Sequence, residues 1–214
     1  MATHKTDSAL RRYTSLPALL HILRNKQITL LSPASWDDKT DAFFMSQYKE
    51  RKKMASVLAL CFSEAHETYH HWRVFTHGSD GVCVVFKRED FLAAFDSIRN
   101  VQKGPITYKS ISAMKNFHPP VEQLPFLKRQ PFKDEKEFRI VYVSRRVEMD
   151  SKGFDIDLAC IRRITLNPWM PKSLADVVED TIRSIDGCEK IEVYQTTLLD
   201  NERWKRAARD ESES

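Results

Sequence analysis

Glycine is scarce, with five in 214 residues. Loops that cradle phosphates need closely spaced glycines, so glycine-rich nucleotide motifs are not expected to organise this chain. Cysteine is equally sparse. Cys61, Cys83, Cys160 and Cys188 lie far apart and three of them sit inside apolar runs. That spacing offers no zinc motif and reads as reduced core thiols of a cytoplasmic protein. No apolar run approaches the length of a membrane span, and Met1-Ala2-Thr3-His4-Lys5 has no apolar stretch behind it, so neither a membrane segment nor a signal peptide is expected. Neither sign of charge dominates: 34 Lys and Arg against 30 Asp and Glu leave a net charge of +4. This permits an anionic partner without demanding one, and a dedicated duplex binder would carry a denser basic patch.

What is present suits one domain. The chain is 42% hydrophobic and 30% charged and is long enough to bury a full core without disulfides. Residues 1–9 read as disordered, residues 10–200 as a single α+β domain and residues 201–214 as a charged, solvated tail. Arg11 to Thr14 reads as a short strand, after which Ser15 caps a helix that carries Pro17 in its first turn and can end at Asn25. Residues 28–31 form a second strand. Trp36-Asp37-Asp38-Lys39-Thr40-Asp41 is a loop whose carboxylates read as turn or cap residues. A helix is expected over 42–54, a buried central strand over 57–62 and a helix over 64–76. The last carries His66, His70 and His71, with His77 beyond. His66 and His70 stand at metal-ligand spacing, but an exposed polar face is the stronger reading. A strand at 82–86, a helix at 89–99, a short strand at 105–108 and an irregular stretch to 125 follow. Residues 145–157 read as a polar excursion and 161–166 as a strand. Ser173 and Asp176 form a capping box for a helix with Leu174, Val177, Val178, Ile182 and Ile185 on one face. Residues 190–194 are the last strand.

The most informative stretch is Lys133-Asp134-Glu135-Lys136-Glu137-Phe138-Arg139-Ile140-Val141-Tyr142-Val143. Alternation places Phe138, Ile140 and Tyr142 on one face of a strand and Glu137, Arg139, Val141 and Val143 on the other. A face wet at one end and dry at the other borders a rim or a cleft. By itself the pair Glu137 and Arg139 reads as a surface ion pair worth about 0.5 kcal/mol. The sharper alternative is a carboxylate at the mouth of a pocket, tuned by burial and a neighbouring cation.

Trp36-Asp37-Asp38, Cys61-Phe62-Ser63, Trp72, Gly81-Val82-Cys83, Ile106-Thr107-Tyr108, Lys128 and Phe132 through Arg139, in that order, resemble a bacterial family catalogued as domain of unknown function twenty-nine seventy-one. The likeness runs from about Arg12 to Leu166. The chain departs from the family pattern at Asp37 to Asp41, where Asn-Asp-Pro-Phe-Glu is usual, at Val74-Phe75, where His-Tyr is usual, and at Ser79, where a His is usual. That family is in turn distantly similar to ADP-ribosyltransferases, especially those that modify DNA bases. Three legs carry this: the opening strand and helix from Arg12, the strand ending in Ser63, and Glu137 leading a late apolar strand.

The resemblance implies an ADP-ribosyltransferase-like fold with a split, mixed or antiparallel sheet and flanking helices. It implies NAD as substrate and a nucleic acid or protein as acceptor, in a toxin or phage-defence setting. Glu137 would stabilise positive charge on the ribose carbon, Glu135 would activate or bind the acceptor, and Arg12 would hold a phosphate or ribose of NAD. Ser63 would support Glu137 or the ribose, and Tyr13 or Trp72 would stack on nicotinamide. Thr14 and Arg139 complete the expected NAD-binding set, with structural roles as strong as functional ones for Arg139 and Trp72. One alternative is a non-catalytic module on the same fold, binding nucleic acid or protein. Another is a metal-dependent nuclease built on Asp37, Asp38, Asp41, Glu135 and Glu137, although their spacing matches no metal motif and no metal site is assigned.

Overall fold

The computed structural model describes residues 9–76 and 78–209. Most of the stretch expected to be disordered, His77 and residues 210–214 lie outside the described residues. The first elements are β1 (Ala9–Ser15), α1 (Leu16–Asn25), β2 (Gln27–Leu31), α2 (Lys39–Arg51), β3 (Ser56–Ser63), α3 (Tyr69–Phe75), β4 (Gly81–Lys87) and α4 (Arg88–Ala93). The chain continues through β5 (Val101–Pro105), β6 (Thr107–Lys109), α5 (Ile111–Met114), β7 (Leu127–Arg129), β8 (Glu137–Ser144) and β9 (Ser151–Asp155). It closes with β10 (Ile161–Leu166), α6 (Lys172–Arg183), β11 (Glu192–Gln195) and α7 (Glu202–Arg209). Helices flank a mixed sheet, in the α+β class. Among the described residues no helix is long and apolar enough to cross a membrane, and all four cysteines are free.

The sheet is zipped on both sides and joined weakly in the middle. β1 pairs antiparallel with β4 over seven positions, and β4 continues through β10 to β11, the last two being parallel. On the other side β3 pairs antiparallel with β8 over eight positions, from Ser56 with Ser144 to Ser63 with Glu137, and β5 pairs with the far edge of β8. Between these halves β1 meets β3 at one register pair, Arg11 with Ser63. β2, which also pairs with β9, meets β3 at one pair, Leu31 with Ala59. From Ala59 to Ser63 this edge of β3 therefore has no continuous strand neighbour, and a cleft occupies the gap.

The pattern of β8 explains how the cleft is backed. Phe138 and Ile140 enter the main core with Leu10, Leu60, Phe62, Val84 and Phe86. Val141 and Val143 pack on the opposite face with Met45, Tyr48 and Val57. Each such side chain contributes about 1.5–3 kcal/mol when buried, so the strand is anchored on both faces and Glu137 at its start is held without freedom to swing. A third cluster of Ala9, Tyr13, Trp72, Cys83 and Val85 supports β1 from behind.

Several expectations are corrected. The helix expected from residue 42 begins at Lys39, because the Asp38 carboxylate accepts from Thr40 and Asp41 N–H groups. The helix expected over 64–76 begins only at Tyr69, capped by Thr68, so His66 lies outside it and shares no helical face with His70. His71 is buried against Tyr13 and Phe75 instead of lying on a polar face. The helix expected over 89–99 ends at Ala93. The polar excursion contains β9, which pairs with β2 along five positions. In α6 the capping box does not form: the helix starts at Lys172, ahead of Ser173, and no side chain caps it. Of the expected apolar face, Ile182 is buried and Val178 and Ile185 pack against the core, but Leu174 and Val177 are exposed and Ala175 is buried in their place. Within the stretch read as a charged tail, Glu202 to Arg209 is an exposed helix.

Candidate active site

The cleft has a volume of about 440 Å³, within the range of small-molecule sites. Arg11, Arg12 and Tyr13 line it from β1, and Cys61, Phe62 and Ser63 from β3. The loop from Ser35 to Asp38 with Asp41, the end of α3, and Lys128, Phe132, Glu135 and Glu137 complete the wall.

Glu137 stands at the centre of an ionic network. Its Oε1 accepts from Arg139 Nε at 2.8 Å and lies 2.7 Å from Nη2. Its Oε2 accepts from Lys128 Nζ at 3.1 Å, and its backbone N–H donates to the Tyr108 hydroxyl at 2.8 Å. Burial pushes the carboxyl upward, but the charges of Arg139 and Lys128 outweigh it and hold Glu137 below the usual carboxylate range. The carboxylate is therefore ionised although its residue is only 4% exposed. Glu135 goes the other way: burial raises it and Lys128, at 2.6 Å, only partly compensates. The two neighbouring carboxylates are thus pushed in opposite directions. Burial raises the Tyr108 hydroxyl to about 12, which keeps it protonated beneath Glu137.

Arg139 is no surface partner. Its residue is 0% exposed. Nη1 and Nη2 bind both oxygens of Asp41 at 3.0 and 2.7 Å, Nη1 also donates to the Pro125 carbonyl at 2.8 Å, and the guanidinium lies 4.7 Å from the centre of the Trp36 ring. Such a fork matches two carboxylates at once, as a lysine could not. The surface-pair reading fails because Asp41, from α2, closes over the strand.

Arg12 reaches across the seam. Its Nη1 donates to the Cys61 carbonyl at 3.0 Å, and it is close enough to Glu137 for the two charges to interact. The Ser63 hydroxyl donates to the Glu135 carbonyl at 2.7 Å and accepts from the Ala65 N–H at 3.1 Å. Ser63 thereby ties the segment bearing Glu135 to the end of β3. Tyr13 is walled by Trp72, His71 and Phe75 at centroid separations of 5.2, 5.6 and 5.9 Å.

Of the residues expected from the sequence, Arg12, Tyr13, Ser63, Glu135 and Glu137 line one cleft, with Arg139 directly behind Glu137. Thr14 and Trp72 are not among the lining side chains. Trp72 is 0% exposed and donates its indole N–H to Glu67 at 2.6 Å, which leaves no open ring face for stacking. Half-buried Trp36, Phe75 and Phe132 supply aromatic surface in the cleft. Lys128 and Tyr108 were given no role from the sequence, although both stand within the family-like motifs. Four of the five carboxylates of the nuclease reading are otherwise engaged: Asp38 caps α2, Asp41 and Glu137 pair with Arg139, and Glu135 pairs with Lys128, while Asp37 lines the cleft. Among the described residues no group of three or more His, Cys, Asp or Glu is arranged to hold a metal ion.

No protein-family model and no curated protein matches the sequence, so the family named above rests on the residues that carry the resemblance. Among solved structures, the chain is similar to DarT from Thermus sp. 2.9 in complex with NAD+. Identity is 12%, coverage is 91% of this chain and 98% of that chain, and the TM-score is 0.47. It is also similar to the same protein in complex with ADP-ribosylated ssDNA, at 12% identity, 91% and 97% coverage and a TM-score of 0.46.

Proposed function

We propose that this chain is an NAD-dependent ADP-ribosyltransferase acting on a macromolecule, either nucleic acid or protein. The observation that carries the reading is Glu137, a buried carboxylate held ionised by Arg139 and Lys128 at the wall of a cleft that Arg12 also lines. A fixed negative charge in a site of low dielectric is the group needed where positive charge develops on a ribose carbon. NAD, as the substrate, supplies the nicotinamide–ribose bond to be broken. Glu137 stabilises the charge that grows on the sugar. Glu135, less acidic and at the more open end of the network, receives the proton of the acceptor. Arg12 presents a guanidinium to a phosphate or a ribose hydroxyl. Tyr13, Trp36, Phe75 and Phe132 offer apolar surface for the nicotinamide and adenine rings.

Ser63, Thr14, Trp72 and Arg139 act in this reading as supports. Ser63 fixes the turn that bears Glu135, Thr14 and Trp72 fix β1, and Arg139 sets the direction of the Glu137 carboxylate. The test is release of nicotinamide from NAD. Glu137→Gln keeps the shape and removes the charge, and is expected to lower kcat by about 10²–10³-fold while its thermal unfolding curve stays cooperative. Unchanged release in that variant would remove the proposal. Thermal protection of the wild-type protein by NAD is expected in the same experiment.

A further inference from the structure

Resting on the reading above, we propose that Lys128 is a positioning residue, whose ammonium holds Glu135 beside Glu137 as the acceptor of the proton that the incoming nucleophile gives up. Its Nζ lies 2.6 Å from Glu135 Oε2, 3.1 Å from Glu137 Oε2 and 3.8 Å from Asp41 Oδ2, and its side chain is 9% exposed. Lysine is rarely buried unless it is paired. Here Arg139 already gives Asp41 and Glu137 a counter-charge, so the carboxylate that depends on Lys128 is Glu135. Three acids, Asp41, Glu135 and Glu137, pair with two cations, Lys128 and Arg139, and the third cation nearby, Arg12, acts on Glu137, which leaves Glu135 with Lys128 alone. The site of easiest proton entry is Glu135, whose side chain is 16% exposed against 2% for Asp41 and 5% for Glu137.

The backbone fixes this arrangement. β6 and β7 pair in parallel with Tyr108 opposite Lys128, and the Tyr108 hydroxyl holds the Glu137 N–H. One small sheet thus sets both the ammonium and the main chain of the acid. The charged and titratable groups facing the cluster are Asp41 from α2, Tyr108 from β6, Glu137 and Arg139 from β8, the Cys61 thiol from β3 and Arg12 from β1. The Phe132 ring lies 4.8 Å from the Lys128 nitrogen.

In the transfer step the nicotinamide–ribose C–N bond breaks and its electron pair leaves with neutral nicotinamide. A lone pair of the acceptor N–H or O–H forms the new bond to the ribose carbon. The acceptor proton passes to the Glu135 carboxylate and from there to water.

The test compares wild type, Lys128→Met and Lys128→Arg. Titration of Glu135 by carbon NMR of labelled glutamate is run beside the pH profile of acceptor modification. Lys128→Met is expected to move the Glu135 midpoint to higher pH by about 1–3 pH units and to carry the acid limb of the kcat/KM profile with it. Lys128→Arg is expected to restore both. A Glu135 midpoint indifferent to Lys128→Met overturns the inference while leaving the proposed function intact. Wild-type protein that releases no nicotinamide removes the function itself. If Lys128→Met does not fold, Glu135→Gln carries the decision: the acid limb is expected to vanish, and its persistence overturns the inference.

Discussion

Replacing Arg139 by Met is the most exacting perturbation of this structure. The guanidinium is 0% exposed and makes paired contacts with Asp41 and Glu137, with a further bond to the Pro125 carbonyl. Methionine fills comparable space but leaves two buried carboxylates without their principal counter-charge. Breaking a buried pair in this way costs about 3–5 kcal/mol, a large part of the roughly 5–15 kcal/mol that holds a domain together. With a urea m-value of about 2 kcal/mol/M, the midpoint falls by about 1.5–2.5 M at pH 8. The loss depends on pH. In the wild type Glu137 is held below its ordinary range, so its contribution is present above the unfolded-state pKa and is lost as pH falls through the folded one. In the variant the two acids are relieved by protonation, so the gap between variant and wild type narrows toward pH 5. Urea unfolding at pH 5 and pH 8 measures this. A deficit below about 1 kcal/mol, or one equal at both pH values, would refute the ion-network account. Adding Asp41→Asn to Arg139→Met is expected to recover part of the loss.

Two further substitutions test the frame around the site. Ser63→Ala removes the hydroxyl that joins Glu135 and Ala65. It should cost about 1 kcal/mol of stability and depress nicotinamide release far less than Glu137→Gln, and an equal depression would show Ser63 to be a member of the reacting set. Gly81→Ala would place a Cβ 2.4 Å from the Thr76 Cβ. A destabilisation of about 1–3 kcal/mol is expected by thermal melting, and a neutral result would mean that Thr76 moves aside freely.

The elements that anchor the core were legible because their patterns are local. Val57 to Phe62 and Val82 to Phe86 are continuous apolar runs, and the alternation from Phe138 to Val143 assigns the two faces of β8 correctly. β9 was not legible: Ser151-Lys152-Gly153-Phe154-Asp155 is a polar strand with one core side chain, and what makes it a strand is the β2 edge beside it. In α6, Ser173 and Asp176 have the right spacing for a cap, but the chain turns into the helix at Pro171, so Leu174 and Val177 rotate outward. The site followed the same division. Glu137 and Ser63 at strand ends, and Glu135 two residues earlier, were singled out by the family resemblance and line the cleft. The role of Arg139 depends on Asp41, 98 positions away, and Lys128 acquires meaning only when β7 lies against β6. A charge on a strand reads as wet until something distant covers it.

The gap in the sheet between Ala59 and Ser63 has a consequence for how the protein protects itself. An extended segment without a neighbour invites another chain to lie along it. Here the Cys61 carbonyl is occupied by the tip of Arg12, so a flexible side chain stands where a rung of backbone would otherwise be. Such a plug is a single side-chain hydrogen bond, whereas a ladder would be several backbone ones. The same residue that lines the cleft also stands where a foreign strand would have to dock.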